Sequence, residues 1–130
     1  MKPLSVILLF TLLLTGCGPA GKPTNTYRQI GMEEAVAIMA RERDYILLDV
    51  RTPQEFAEKH IPGAINLPNE TIGTSKPAEL PDRDQLILVY CRSGNRSKQA
   101  AAKLVALGYT NVVEFGGIID WPGETVSGNS

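Results

Sequence analysis

Two uninterrupted apolar runs constrain this chain more than any other feature: YILLDV, Tyr45 to Val50, and LILVY, Leu86 to Tyr90. Neither alternates with polar residues, so each reads as a strand covered on both faces, the kind found inside a parallel sheet. A helix signal follows each. After YILLDV come Thr52 as N-cap, Pro53 at the first helical position and Glu55 three residues past the cap, with the helix ending near Lys59. After LILVY, Ser97 to Leu107 has helical period, with Ala101, Leu104 and Val105 inward and Gly108 placed as a C-cap. Upstream, Met32 to Arg41 puts Met32, Ala35, Val36 and Met39 on one face and Glu33 and Glu34 in the first turn. Weaker strand signals lie at Tyr27 to Gln29, at Ala64 to Leu67 after the turn His60-Ile61-Pro62-Gly63, and in NVVEF before Gly116-Gly117. Pro68 to Asp84 is polar and proline-bearing and reads as a loop with room for a short helical piece. Strands alternating with helices at this spacing predict a parallel α/β sheet, without fixing the strand order.

At 130 residues one domain is the expectation. It spans 27–124, with a flexible tether over 17–26 and a tail over 125–130. The formal net charge of -1 gives no reason to expect a nucleic-acid partner. Residues 1–16 read as a signal peptide: Lys2, an apolar run from Leu4 to Leu14, then Thr15 and Gly16. The run is well short of the ~20 residues that cross a bilayer. Leu14-Thr15-Gly16-Cys17 resembles the processing box of bacterial lipoproteins, which implies lipid on Cys17 and an extracytoplasmic, membrane-anchored protein. Gly18, where inner-membrane lipoproteins of Gram-negative cells carry Asp, implies the outer membrane facing the periplasm in such a host. The alternative is a soluble periplasmic protein whose leader is cleaved with an incidental cysteine. Lipid on Cys17 would leave Cys91 without a disulfide partner.

Cys91 directly follows the LILVY strand, and ligands of open α/β sheets bind beyond such carboxyl ends. The connection to the helix at Ser97 is Arg92-Ser93-Gly94-Asn95-Arg96. A link this short must curl, turning backbone N–H groups towards the sulfur as an anion nest at a helix start. Gly94 allows the conformations that such a curl needs. A thiol of ordinary pKa ~8.5 should ionise more readily in that cup, flanked by two arginines. Arg96, beside the helix start, opposes the helix dipole and calls for a compensating anion or carboxylate. With His60 the single histidine, neither a neighbouring base nor a zinc cluster is expected, and a lowered thiol pKa makes a base unnecessary. What remains is a thiolate reacting with a small anion held by amides and guanidinium groups. The plainer reading, a strand-end cysteine as a small buried hydrophobe, fits a polar glycine-bearing loop poorly.

Four stretches occur in order: Asp49-Val50-Arg51; His60-Ile61-Pro62-Gly63-Ala64 with Asn66; Cys91-Arg92-Ser93-Gly94-Asn95-Arg96-Ser97; and Gly116-Gly117-Ile118 with Trp121. Together they resemble the single-domain rhodaneses, a family of sulfurtransferases. The resemblance implies a rhodanese-like α/β fold with a central, mostly parallel five-stranded sheet and helices on both faces. It also implies that Cys91 carries a sulfane sulfur as a persulfide within a cup formed by Arg92, Ser93, Gly94, Asn95 and Arg96. Arg92 would face an anionic donor such as thiosulfate, while Arg96 would organise the loop with Asp49 and Arg51, and Ser97 would support it. His60 is expected to be a hydrogen-bonding turn residue and Trp121 a core or pocket-wall residue. The acceptor would be cyanide, a small thiol or a protein thiol; no cofactor or metal is implied, and a monomer is expected. The related cysteine phosphatases and arsenate reductases place five residues between cysteine and arginine; here there are four, 92 to 95, a tighter cup suited to one sulfur atom. The alternative from another class is a non-catalytic persulfide carrier or redox-sensing module.

Overall fold

The computed structural model describes residues 26–129. The proposed leader, Cys17 and nearly all of the tether lie outside the described residues, as does Ser130.

Among the described residues five strands and three α-helices follow in the order β1 (Arg28–Gln29), α1 (Met32–Arg41), β2 (Tyr45–Asp49), α2 (Pro53–Glu58), β3 (Ile65–Asn66), β4 (Leu86–Cys91), α3 (Asn95–Ala106) and β5 (Val112–Gly117). They form one sheet in the order β1-β5-β4-β2-β3, with every pairing parallel. The rhodanese-like α/β fold expected from the motifs is the fold observed. Single turns of 3-10 helix occupy Asn69–Thr71, inside the predicted loop, and Ile118–Asp120.

The β2 and β4 runs feed apolar side chains to both faces of the sheet, and each face is covered. Val89 and Cys91 of β4 and Leu48 of β2 pack under α3 with Ala100, Ala101 and Leu104. Leu88 and Tyr90 of β4 and Leu47 of β2 pack on the other side with Ala35, Ile38 and Phe56 from α1 and α2. Successive strand side chains point to opposite faces, so the unbroken apolar runs feed two core layers at once. On α1 the buried pair is Ala35 and Ile38, with Met32 and Met39 flanking. Val36, expected inward, is only partly covered, because the side of α1 that meets the sheet is centred on Ala35 and Ile38.

The capping box at α2 is present as predicted: Thr52 Oγ1 accepts the Glu55 amide, and Glu55 Oε1 accepts the Thr52 N–H. Two boundaries differ from expectation at the important place. Cys91 is the last residue of β4 rather than the first beyond it, and α3 begins at Asn95 rather than Ser97. Gly116 and Gly117 likewise belong to β5, which runs two residues past NVVEF.

Candidate active site

The carboxyl ends of β2 and β4 lie side by side, and each carries charged residues. At β2, Asp49 and Arg51 are both buried and bonded to one another. Asp49 Oδ1 accepts the Arg51 amide at 2.9 Å and Nε at 3.1 Å, and Oδ2 accepts Nη2 at 2.7 Å. Arg51 Nη2 also donates to the Lys59 carbonyl at 2.6 Å. Burial opposes the Arg51 charge, but the Asp49 carboxylate more than compensates and its pKa rises further. Asn66, from β3, donates Nδ2 to the carbonyls of Asp49 (3.1 Å) and Arg51 (2.9 Å). The Asp-Val-Arg and Asn66 motifs thus form one closed polar knot that holds the β2 end and the α2 exit together. The His60 turn is tied to the same knot through Tyr90, whose Oη lies against the Asp49 carboxylate and accepts the Ile61 amide at 3.1 Å. His60 itself is buried, stacked on Phe56 at 3.7 Å, with Nδ1 2.8 Å from the Phe56 carbonyl, a turn-holding arrangement as anticipated.

At the β4 end the polar groups converge on sulfur. With Cys91 inside the strand and α3 starting at Asn95, only Arg92, Ser93 and Gly94 bridge the two elements. Gly94 takes φ +114, a conformation that L residues avoid, and its N–H donates to Cys91 Sγ at 3.0 Å. Ser97 Oγ, in the first turn of α3, accepts the Cys91 thiol at 3.4 Å and donates to the Gly94 carbonyl at 3.0 Å; once the thiol ionises, the hydroxyl hydrogen can turn to the sulfur. Burial of Cys91, which is 1% exposed, pushes its thiol pKa up. The Ser97 hydroxyl and the amides of Ser97, Gly94 and Ser93 more than offset it, so the net shift is downward. The cup expected over Arg92 to Arg96 is therefore built from Ser93, Gly94 and Ser97, while Asn95 is exposed as the first residue of the helix.

Arg96 corrects a second expectation. It does not join Asp49 and Arg51; Nη1 and Nη2 donate to Glu55 Oε1 at 2.6 Å and Oε2 at 2.9 Å. This fork supplies the carboxylate that a cation at a helix N-terminus requires. It also lowers the Glu55 pKa to about 2. Glu55 was read from the sequence only as a capping residue; its capping role concealed a second one across 41 positions.

Arg92 is exposed, and its carbonyl accepts the Ile119 amide at 3.3 Å. With Arg51, Glu55, Glu58, Lys59, Ile118 and Ile119 it lines a cleft of about 400 Å³ beside the loop. Trp121 stands outside that cleft, partly buried against the α1/α2 layer and donating Nε1 to the Glu124 carbonyl at 2.9 Å. The Gly116-Gly117 pair is explained by close approach. A Cβ at Gly117 would lie 1.9 Å from the Arg92 carbonyl oxygen, so β5 can underpin the loop only with glycine there.

A family model, the rhodanese-like domain, matches residues 32–123. The chain belongs to the rhodanese-like domain family. A sulfurtransferase of Allochromatium vinosum is 42% identical over 94 residues, covering 72% of this chain and 86% of that protein. The thiosulfate sulfurtransferase GlpE of Pseudomonas entomophila is 38% identical over 109 residues, covering 80% and 96%. Among solved structures, a rhodanese with anions from E. coli aligns with a TM-score of 0.59 at 34% identity, covering 65% of this chain and 99% of that one. Cys91 lies within the matched stretch and is the free cysteine among the described residues.

Proposed function

We propose that the protein is a thiosulfate sulfurtransferase that carries sulfane sulfur on Cys91. The observation that supports this best is the convergence of the Gly94 N–H and the Ser97 hydroxyl on the Cys91 sulfur at a strand end. The thiolate attacks the outer sulfur of thiosulfate; the new S–S bond forms as the old one breaks, and sulfite leaves with the electron pair. Cys91 then holds a persulfide anion. A nucleophilic acceptor, cyanide or a thiolate, takes the terminal sulfur and returns Cys91 as thiolate, a two-step covalent scheme. The amides are oriented before substrate arrives, so negative charge on sulfur is met by fixed dipoles at each step. Arg92, exposed at the cleft rim, attracts the anionic donor. Arg96 acts through the loop, because its fork is spent on Glu55.

Intact-mass analysis after exposure to thiosulfate tests the scheme. Cys91 should gain one sulfur atom and lose it on addition of cyanide, while Cys91→Ser should neither load nor transfer above the uncatalysed background. No load on the parent, or full transfer by the serine variant, overturns it. A single load that no acceptor removes would favour the persulfide carrier.

We further propose attachment to an extracytoplasmic membrane surface through lipid on Cys17. The support is the leader and its Leu-Thr-Gly-Cys box. Among the described residues no helix is long and apolar enough to cross a membrane. The mass of the mature protein, with and without Cys17→Ser, decides it.

A further inference from the structure

Position 114 breaks the pattern of its strand. Alternation along β5 turns Val112 and Glu114 to the α3 side, and Val113 and Phe115 to the α1/α2 side. The α3 side is otherwise apolar around Val89, Ala100, Ala101 and Leu104, yet Glu114 is only 3% exposed. A carboxylate there carries a desolvation cost that valine or leucine would not. That cost raises its pKa, and the Gly116 amide, the Lys98 charge and the Ser97 hydroxyl partly offset the rise. Lys98 and Ser97 reach it from α3, and Cys91 on β4 lies beyond Ser97.

The bonds made by this side chain lead to the cup. Glu114 Oε2 accepts the Gly116 N–H at 3.1 Å. Gly116 sits at φ +95, and its carbonyl lies 3.4 Å from Ser97 Oγ, an alternative acceptor for the hydroxyl that the Gly94 carbonyl otherwise takes. Ser97 Oγ in turn lies 3.4 Å from Cys91 Sγ. The next residue, Gly117, is the one pressed under the Arg92 backbone. The carboxylate therefore holds the N–H side of the residue whose own carbonyl lies beside the serine hydroxyl and whose neighbour, Gly117, backs the loop.

We propose that Glu114 is a positioning residue: by accepting the Gly116 N–H, it fixes the strand end that keeps the Ser97 hydroxyl beside the Cys91 sulfur. Its kinetic consequence rests on the sulfur-transfer reading; its effect on the thiol does not. The test uses the full chain with Glu114→Gln, which keeps an acceptor oxygen of the same reach, and Glu114→Met, which removes it. Three quantities are measured: melting temperature, the pH profile of Cys91 alkylation by iodoacetamide, and kcat and KM for thiosulfate with cyanide. Glu114→Gln should hold alkylation at pH 7 and kcat within about twofold of the parent. Glu114→Met should move the alkylation midpoint upward and cut the rate at pH 7 roughly tenfold, the size of a lost hydrogen bond to a charged group. The same variant should lower kcat in step and leave KM for thiosulfate in place. A methionine variant that melts lower but keeps the parental profile and kcat overturns the proposal, as does a glutamine variant as impaired as the methionine one. Should Glu114→Met not fold, Glu114→Asp, one methylene short of the amide, replaces it with the same expected direction and the same overturning result. A parent that alkylates as thiolate near neutrality but never takes up sulfur would defeat the functional reading alone.

Discussion

The β2 and β4 ends are neighbours in one parallel sheet, yet they treat charge in opposite ways. At β2, Asp49 and Arg51 satisfy one another, and Lys59 and Asn66 complete the set. At β4, amides converge on a single sulfur with a hydroxyl beside it, and among the described residues no cation is bonded to it. A closed charge knot yields rigidity and no chemistry. A cluster of donors around one acceptor leaves part of its capacity for the charge that develops in reaction. The knot stabilises the edge on which the reactive end must keep its geometry.

The largest effect expected from breaking this contrast is on stability. Asp49→Ala strips Arg51 of its buried partner and should cost about 3–5 kcal/mol, the usual penalty for an orphaned buried charge. Chemical denaturation measures it, and the fraction that stays folded should still load sulfur. A variant as stable as the parent would show that the knot does not carry the edge. Ser97→Ala sharpens the contrast from the other side. It should leave the denaturation midpoint nearly unchanged while slowing Cys91 alkylation at pH 7 roughly tenfold, because one hydrogen bond to a charged sulfur is lost; a parental alkylation profile would remove Ser97 from the cup. The smallest effect concerns Glu55, whose fork with Arg96 is partly open to water. Its folded pKa, about 2, lies below the ordinary 4.5, so its stabilisation is full above the ordinary value and disappears as pH falls through the folded one. Glu55→Gln should therefore be less stable than the parent by about 1 kcal/mol or less near neutrality. The two melting curves should converge between pH 4.5 and 2; a gap that persists at the acid end would mean the pair is not what Glu55 contributes.

Much of this was legible in the chain because core and motif signals are local. The apolar runs specified interior strands, Thr52-Pro53-Glu55 specified a helix start, and the Cys91 to Ser97 stretch specified a loop poised over a thiol. The α3 boundary was misplaced because periodicity is carried by buried residues, and the first turn, Asn95 and Arg96, buries neither side chain fully. The helix also starts from Gly94 with no side-chain cap, so no capping residue marked its beginning. The Glu55 to Arg96 fork was hidden because its partners are far apart in sequence and one already had a complete local explanation. Glu114 was hidden for a different reason. A lone acid in VVEF reads as a residue facing water, and only the position of α3 shows that it does not.

The direction of β1 has a consequence for how the molecule would stand on a surface. It runs parallel to the rest, and its first residue, Arg28, is in register with Val113 and through it with Leu88, so the chain enters the sheet level with the middle of β4, roughly 10 Å along the strand from Cys91. An acyl anchor on Cys17, as proposed, would thus join the domain beside the middle of the sheet, so the strand direction by itself does not turn the sulfur away from the bilayer.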